Sequence, residues 1–392
     1  VFLWLVVTSS SKVLTVWWVP AWILALTPFW YSGWITGSQA GVPWDAMLSE
    51  LQNFLLLPLL LIIATTVLEN RAEWNATAYA LYATAAFVAF MGLLEYFYPD
   101  VRNILPQFVS DATPYVSQDG FARAAFSFWG HQAAAFICAL AVPFVIPLLQ
   151  HKRNALHTLL IWSGAALMLG AVYLSGFRIL WLLTAVQVLL WLMLQRRFAA
   201  MLIVASATVS GYASLPETTR LRAESFVLAL QGNPVDTSSA SHLTRLSGAV
   251  DVVSTQPFGL GWTGSGWVHC DFVQIAANLG IIPGFIFAGA FLWTAFGITR
   301  LALKRGPNQP LNAALLLSFV TAGGILATQV ISVLPQLACP IWLTWALTAV
   351  AIRQQTHSKE ALNHARATFR PTSNFQLRTY DPRHAGVGAQ RY

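Results

Sequence analysis

RLSGAVDVVSTQPFGLGWTGSGWVHCDFVQIAANLGIIPG, residues 245–284, is the stretch on which the reading of this chain turns. It passes from a polar, charged segment through a Pro-Phe-Gly-Leu-Gly turn to His269, then directly into apolar sequence of membrane length. An arginine and a histidine where a water-exposed loop meets a bilayer carry a desolvation cost, so a use is expected for them. Most of the remaining sequence is apolar scaffold, which puts any chemistry in or beside this stretch.

The 392 residues are 56% hydrophobic and only 9% charged, with a mean hydropathy of +0.59. Soluble domains carry about a quarter charged residues, so the composition reads as a polytopic membrane protein. A span needs about 20 mostly apolar residues. Ten candidate spans fall at 13–31, 47–68, 76–98, 124–149, 156–174, 177–194, 198–215, 271–298, 311–333 and 336–352. Val1 stands inside an apolar run, so residues 1–7 read as the end of a truncated span, not as a signal peptide. Three scattered cysteines, Cys138, Cys270 and Cys339, imply no disulfide framework.

The basic residues choose sides. Lys12, the His151-Lys152-Arg153 and Arg196-Arg197 turns, Arg300, Lys304, Arg305 and the C-terminal tail share one face, which is cytoplasmic by the positive-inside rule. The opposite face receives 32–46, 99–123, the Ser175-Gly176 turn, the long loop 216–270 and the Leu334-Pro335 turn. The expected fold is all-α: a polytopic helical bundle of about 10–12 transmembrane helices with one long, partly helical periplasmic loop. Its parts are an N-terminal bundle (1–215), the periplasmic loop (216–270), C-terminal spans (271–352) and a basic, disordered tail (353–392). The tail holds most of the net charge of +7, suited to anionic lipid. It lacks the aromatic interleaving of a nucleic-acid binder. Tryptophans such as Trp17, Trp18, Trp30, Trp34, Trp44 and Trp267 read as an aromatic belt, with a sugar-stacking site as the alternative. No internal repeat or matched pair of interrupted helices points to a transporter.

Within the loop, one helix carries Leu221, Phe226 and Leu230. A second, capped near Ser239 or Ser241, carries Leu243, Leu246, Val250 and Val253 on one face and ends at Pro257. Gly259, Gly261, Gly264 and Gly266 are expected to make the descent to His269 flexible.

Four residues are candidates for chemistry on the outer face: Arg123, Arg178, Arg245 and His269. Each has a bland reading, a snorkelling or solvated arginine and a histidine that caps a helix. Their joint reading is sharper. Guanidinium groups match phosphate oxygens, and a histidine accepts a proton from an attacking hydroxyl. Together they suit a transfer in which a diphosphate leaves, its charge met by arginine. His269, Cys270 and Asp271 point in different directions along the chain and form a poor metal site. No DxD pattern occurs, so neither metal nor other cofactor is expected.

The ordered pieces Ser175-Gly176-Phe177-Arg178, Arg245, Pro257-Phe258-Gly259-Leu260-Gly261, His269-Cys270 and Asn278-Leu279-Gly280 resemble the O-antigen ligase/polymerase superfamily of bacterial membrane glycosyltransferases. The segment opening at Arg123 resembles an earlier motif of the same proteins, and the likeness covers 123–283. The chain departs from the pattern twice: Phe177, not serine, precedes Arg178, and Cys270 stands where an asparagine is usual. The resemblance implies a multi-pass protein of the inner membrane with its site facing the periplasm. It implies transfer of a glycan from an undecaprenyl-diphosphate carrier to a glycan or lipid A–core acceptor, as in lipopolysaccharide or exopolysaccharide synthesis. His269 would be the general base, and Arg178, Arg245 and Arg123 would bind the diphosphate. Ligase, polymerase and protein-glycosylating branches stay open, as do a lipid-glycan flippase and a non-catalytic member.

Overall fold

The described residues of the structure, a computed structural model, are 18–68, 70–103, 131–150, 154–212, 214–231, 237–329 and 335–368. All regular structure among them is helical. Long runs of Leu, Ala, Ile and Val with few charges favour this, because a helix satisfies its own backbone where no water reaches. The elements are α1 (Trp18–Gln39), α2 (Trp44–Val67), α3 (Arg71–Phe97), α4 (His131–Ala141) and α5 (Val145–Leu149). They continue with α6 (Ala155–Leu174), α7 (Arg178–Leu194), α8 (Phe198–Tyr212), α9 (Glu217–Leu230) and α10 (Thr237–Thr255). Last come α11 (Asp271–Leu279), α12 (Ile281–Ala302), α13 (Gln309–Leu326) and α14 (Pro335–Thr368).

Among the described residues, five helical stretches are long and apolar enough to cross a membrane: α3, the run Gln132–Leu149, α6, α12 and α13. The apolar α7 is shorter, and α8 meets the start of α9 at a bend of 115°. Large apolar side chains cover the outside of α12, with Phe285 72% and Leu292 65% exposed. A contiguous apolar exterior of this kind suits lipid better than water.

The bundle centre is held by aromatic packing and a few inter-helix hydrogen bonds. Phe291 stacks on Phe319 at 4.4 Å, and both meet Trp345 edge-on. Trp345 Nε1 donates to Thr294 Oγ1 at 3.0 Å, and Trp342 Nε1 donates to the Asn53 carbonyl at 2.9 Å. Gln187 Nε2 reaches both the Ala139 carbonyl (2.9 Å) and Thr321 Oγ1 (2.6 Å), tying α7 to α4 and α13. The aromatic-belt reading therefore needs division. Trp44 and Trp267 are exposed, but Trp262, Trp342 and Trp345 are core residues with their indole N–H groups bonded inside.

One expected span is corrected. The predicted span 271–298 is broken: α11 ends at Gly280, which has φ +104, and α12 starts afresh at Ile281. The short helix crosses the start of α12 so closely that a Cβ on Gly284 would sit 2.7 Å from the Ala276 Cβ. The chain divides into two compact units at 352/353, and in the second unit residues 353–368 are helical. They include three Ala, two Gln and two Arg and contain neither Gly nor Pro, which favours helix over coil.

Candidate functional site

The site is built on the connection between α10 and α11. Pro257 follows the end of α10, and the Gly-Leu-Gly run then lies flat against the C-terminal turn of α11. Leu260 N–H donates to the Ala277 carbonyl (2.9 Å), Gly261 N–H to that of Asn278 (2.8 Å), and Ile281 N–H to that of Pro257 (2.9 Å). Gly259 and Gly261 are buried at φ +82 and +89. A Cβ on Gly261 would lie 2.2 Å from Gly37 N, and one on Gly259 2.4 Å from the Asn278 carbonyl oxygen. These glycines serve close backbone approach to α1 and α11, so the expected flexible descent is wrong for this part of the loop. Trp262 then plugs the junction, fully buried, with its backbone N–H on the Gly33 carbonyl (3.1 Å) and Nε1 on that of Trp30 (3.0 Å).

Buried polar side chains fasten the rest of the loop. Gln274 Oε1 accepts the Val268 N–H at 2.9 Å, and its Nε2 donates to the Gly266 carbonyl at 2.7 Å. Asn278 Oδ1 accepts from both N–H (3.0 Å) and Oγ (2.6 Å) of Ser265, while its Nδ2 donates to Glu50 Oε1 at 2.9 Å. Glu50 Oε2 accepts the Thr263 N–H at 2.6 Å. Such fastening offsets a conformational cost. Thr263 (φ +58) and His269 (φ +57) both sit in the left-handed region, which costs a non-glycine residue about 1–2 kcal/mol.

His269 is not alone, as it looks in the sequence. Its ring stacks on His242 of α10 with centroids 3.7 Å apart and planes inclined by 16°. One turn further along α10, Arg245 Nη1 donates to the Trp267 carbonyl at 3.5 Å. Burial, then the neighbouring His242, then Arg245 push the His269 imidazole down to about 4. His269 is thus neutral at pH 7, and its Nδ1 is buried without a hydrogen-bond partner.

The helix α10 is rotated from the predicted face. Leu243 and Val250 are exposed, while Leu246, Ala249, Val252 and Val253 pack with Val268, Val273 and Ala277. The inward stripe is therefore His242, Leu246, Ala249 and Val253, at intervals of four, three and four, with Ala249 buried and the others partly so. That spacing is the sequence signal that marks His242.

Cys270 occupies the N-cap of α11 in extended backbone and makes no side-chain capping bond, although the amides of Phe272 and Val273 face its sulfur. Burial pushes its thiol up, which disfavours the nucleophilic thiolate. Among the described residues no group of three or more His, Cys, Asp or Glu side chains could hold a metal ion.

The remaining candidates lie apart in the chain. Arg178 opens α7 and bonds Ser225 Oγ of α9, while Tyr173 OH pairs with Thr219 Oγ1 at 2.8 Å, so α9 rests on the ends of α6 and α7. Arg123 lies outside the described residues. The structure thus joins Arg245 and His269 in one group and gives Arg178 a place at the other loop helix. Glu50 escapes the sequence reading altogether: its only signal there is a carboxylate one turn into a Leu-rich run.

Taken together, fold and site define an all-helical chain with membrane-length apolar helices and a histidine–arginine group on a tightly fastened loop. No family model matches the sequence, and no curated protein matches it.

Proposed function

We propose that this chain is a bacterial inner-membrane glycosyltransferase of the O-antigen ligase/polymerase type. It would be a bundle of about ten to twelve spans with its site at the periplasmic face. The observation that carries the reading is the grouping of His269 with Arg245 across the α10–α11 packing. The order of the motifs and the sidedness of the basic residues support it.

In the proposed step, neutral His269 takes the proton of an acceptor sugar hydroxyl as its oxygen attacks the anomeric carbon of the donor. The bond from that carbon to the diphosphate oxygen breaks. Undecaprenyl diphosphate leaves with the electron pair, its charge met by Arg245, with Arg178 and Arg123 assigned to the same anion by resemblance. An imidazole near 4 is a weak base. An anionic diphosphate beside it raises that value, so donor binding primes the base. Gln274, a polar group that a transport path would use, instead has both ends of its amide bonded within the fold, which favours the transferase over a flippase.

The test incubates purified protein with an undecaprenyl-diphosphate-linked oligosaccharide and measures release of undecaprenyl diphosphate. Release is expected for wild type and lost in His269→Ala and Arg245→Ala. Undiminished release in the double variant overturns the reading. Adding lipid A–core or a second donor distinguishes ligase from polymerase.

A further inference from the structure

Glu50 stands in α2, 213 residues before Thr263 and 228 before Asn278, yet its carboxylate is bonded to both. It is 1% exposed, and Asn278 is fully buried. Both carboxylate oxygens face N–H donors, the Thr263 amide and Asn278 Nδ2, as an acceptor-only group requires. Asn278 relays the contact to both N–H and Oγ of Ser265. One buried carboxylate thus holds two points of the loop whose far end is His269. One of those points, Thr263, is a β-branched residue in the left-handed region that would relax if released.

We propose that Glu50 is a positioning residue: through Thr263, Asn278 and Ser265 it fixes the loop that presents His269, and so the geometry of the transfer reaction. The effect on transfer rests on the function proposed above, whereas the effect on the loop does not.

The hydrogen-bond pattern supplies its own test. Glu50→Gln places an amide NH2 against an N–H donor, whichever way it turns. Asn278→Asp sets a second carboxylate against the first. Combining the two substitutions restores the pattern with donor and acceptor exchanged. The new amide NH2 at position 50 donates to the new carboxylate at position 278, and the amide oxygen still accepts from Thr263 N–H. The carboxylate at position 278 still accepts from Ser265.

The three variants are compared with wild type in detergent micelles by amide hydrogen exchange at Thr263 and Ser265, by thermal unfolding, and by kcat and KM for release of undecaprenyl diphosphate. Each single variant is expected to speed exchange at both amides about tenfold and to lower kcat about tenfold with KM for the donor nearly unchanged. The double variant is expected to recover most of both losses. The proposal is overturned if the single variants exchange and turn over like wild type. It is equally overturned if they only lower the unfolding temperature while kcat of folded protein holds, or if the double variant is worse than either single. If wild type releases no undecaprenyl diphosphate, the functional reading fails. The exchange data then decide the loop assignment alone, recovery in the double variant supporting it and unchanged single variants sinking it.

Discussion

His242 lies flat against His269, 3.7 Å away and nearly parallel, although the two residues meet only through folding. Two imidazoles this close do not both carry charge readily, and Arg245 adds a third positive group one turn along α10. Burial, His242 and Arg245 together hold His269 neutral, and under the function proposed above an anion beside the ring would favour its charged form.

The first prediction follows from that relationship. In the folded chain the His269 imidazole is pushed down to about 4 from an ordinary 6.5. Protonation therefore favours the unfolded chain: the stabilising contribution is complete above about 6.5 and is lost as pH falls towards 4. Between pH 7 and 4, wild type should lose about 2 °C more in unfolding temperature than His269→Gln, a small figure because the ring is only half-buried. Equal losses in the two proteins would show that the ring titrates normally. His242→Gln should raise the His269 midpoint by less than about one pH unit, since burial is the larger cause.

Anion binding gives a second prediction. Inorganic pyrophosphate should raise the His269 midpoint by about one unit, read by NMR of labelled imidazole, and Arg245→Ala should abolish that rise. Arg245 is exposed, so its removal should change stability by less than about 0.5 kcal/mol while costing about a hundredfold in transfer rate. A midpoint insensitive to pyrophosphate would remove the proposed priming of the base.

Cys270 provides a third. Its backbone has the extended geometry of an N-cap, and two amides of α11 face the side chain without a capping bond. Cys270→Asn should supply the missing acceptor and stabilise the protein by about 1 kcal/mol. Thermal unfolding of the two proteins measures this. A lowered unfolding temperature would mean that the buried pocket rejects the amide.

The legible parts of this chain are those where local sequence decides. Long, nearly uncharged apolar runs give α6 and α13, and Pro257 follows the end of α10 as read. The motif Pro-Phe-Gly-Leu-Gly is recognisable in the sequence, but its glycines suggest flexibility there, whereas they serve contact with α1 and α11. Periodicity does not reveal the fold-back at Gly280, because the apolar composition continues across it; Gly280 followed by Pro283 is the only hint. Glu50 is illegible for a different reason. Its role exists only in partners far away in sequence, and no local pattern encodes a hydrogen bond spanning 213 residues.

The glycines separate tolerance from strain in a fourth prediction. Gly261→Ala meets backbone at 2.2 Å and φ +89, so it should cost about 3 kcal/mol or prevent folding. Gly266→Ala, at φ +67 with open space around it, should cost only about 1 kcal/mol. Gly248→Ala, in the exposed middle of α10, should stabilise by up to about 1 kcal/mol. Unfolding temperatures that fail to follow this order would contradict the packing described for the loop.

The hydrogen bond from Ile281 N–H to the Pro257 carbonyl has a consequence for how this chain can vary. The backbone that departs at Pro257 returns to the same point at Ile281, so everything between closes on itself like a bag drawn at its neck. Insertions or deletions between Pro257 and Ile281 need not shift the register at which α12 enters the bundle. The loop helices are free to diverge in length, while the histidine stays anchored to the apolar helix behind it.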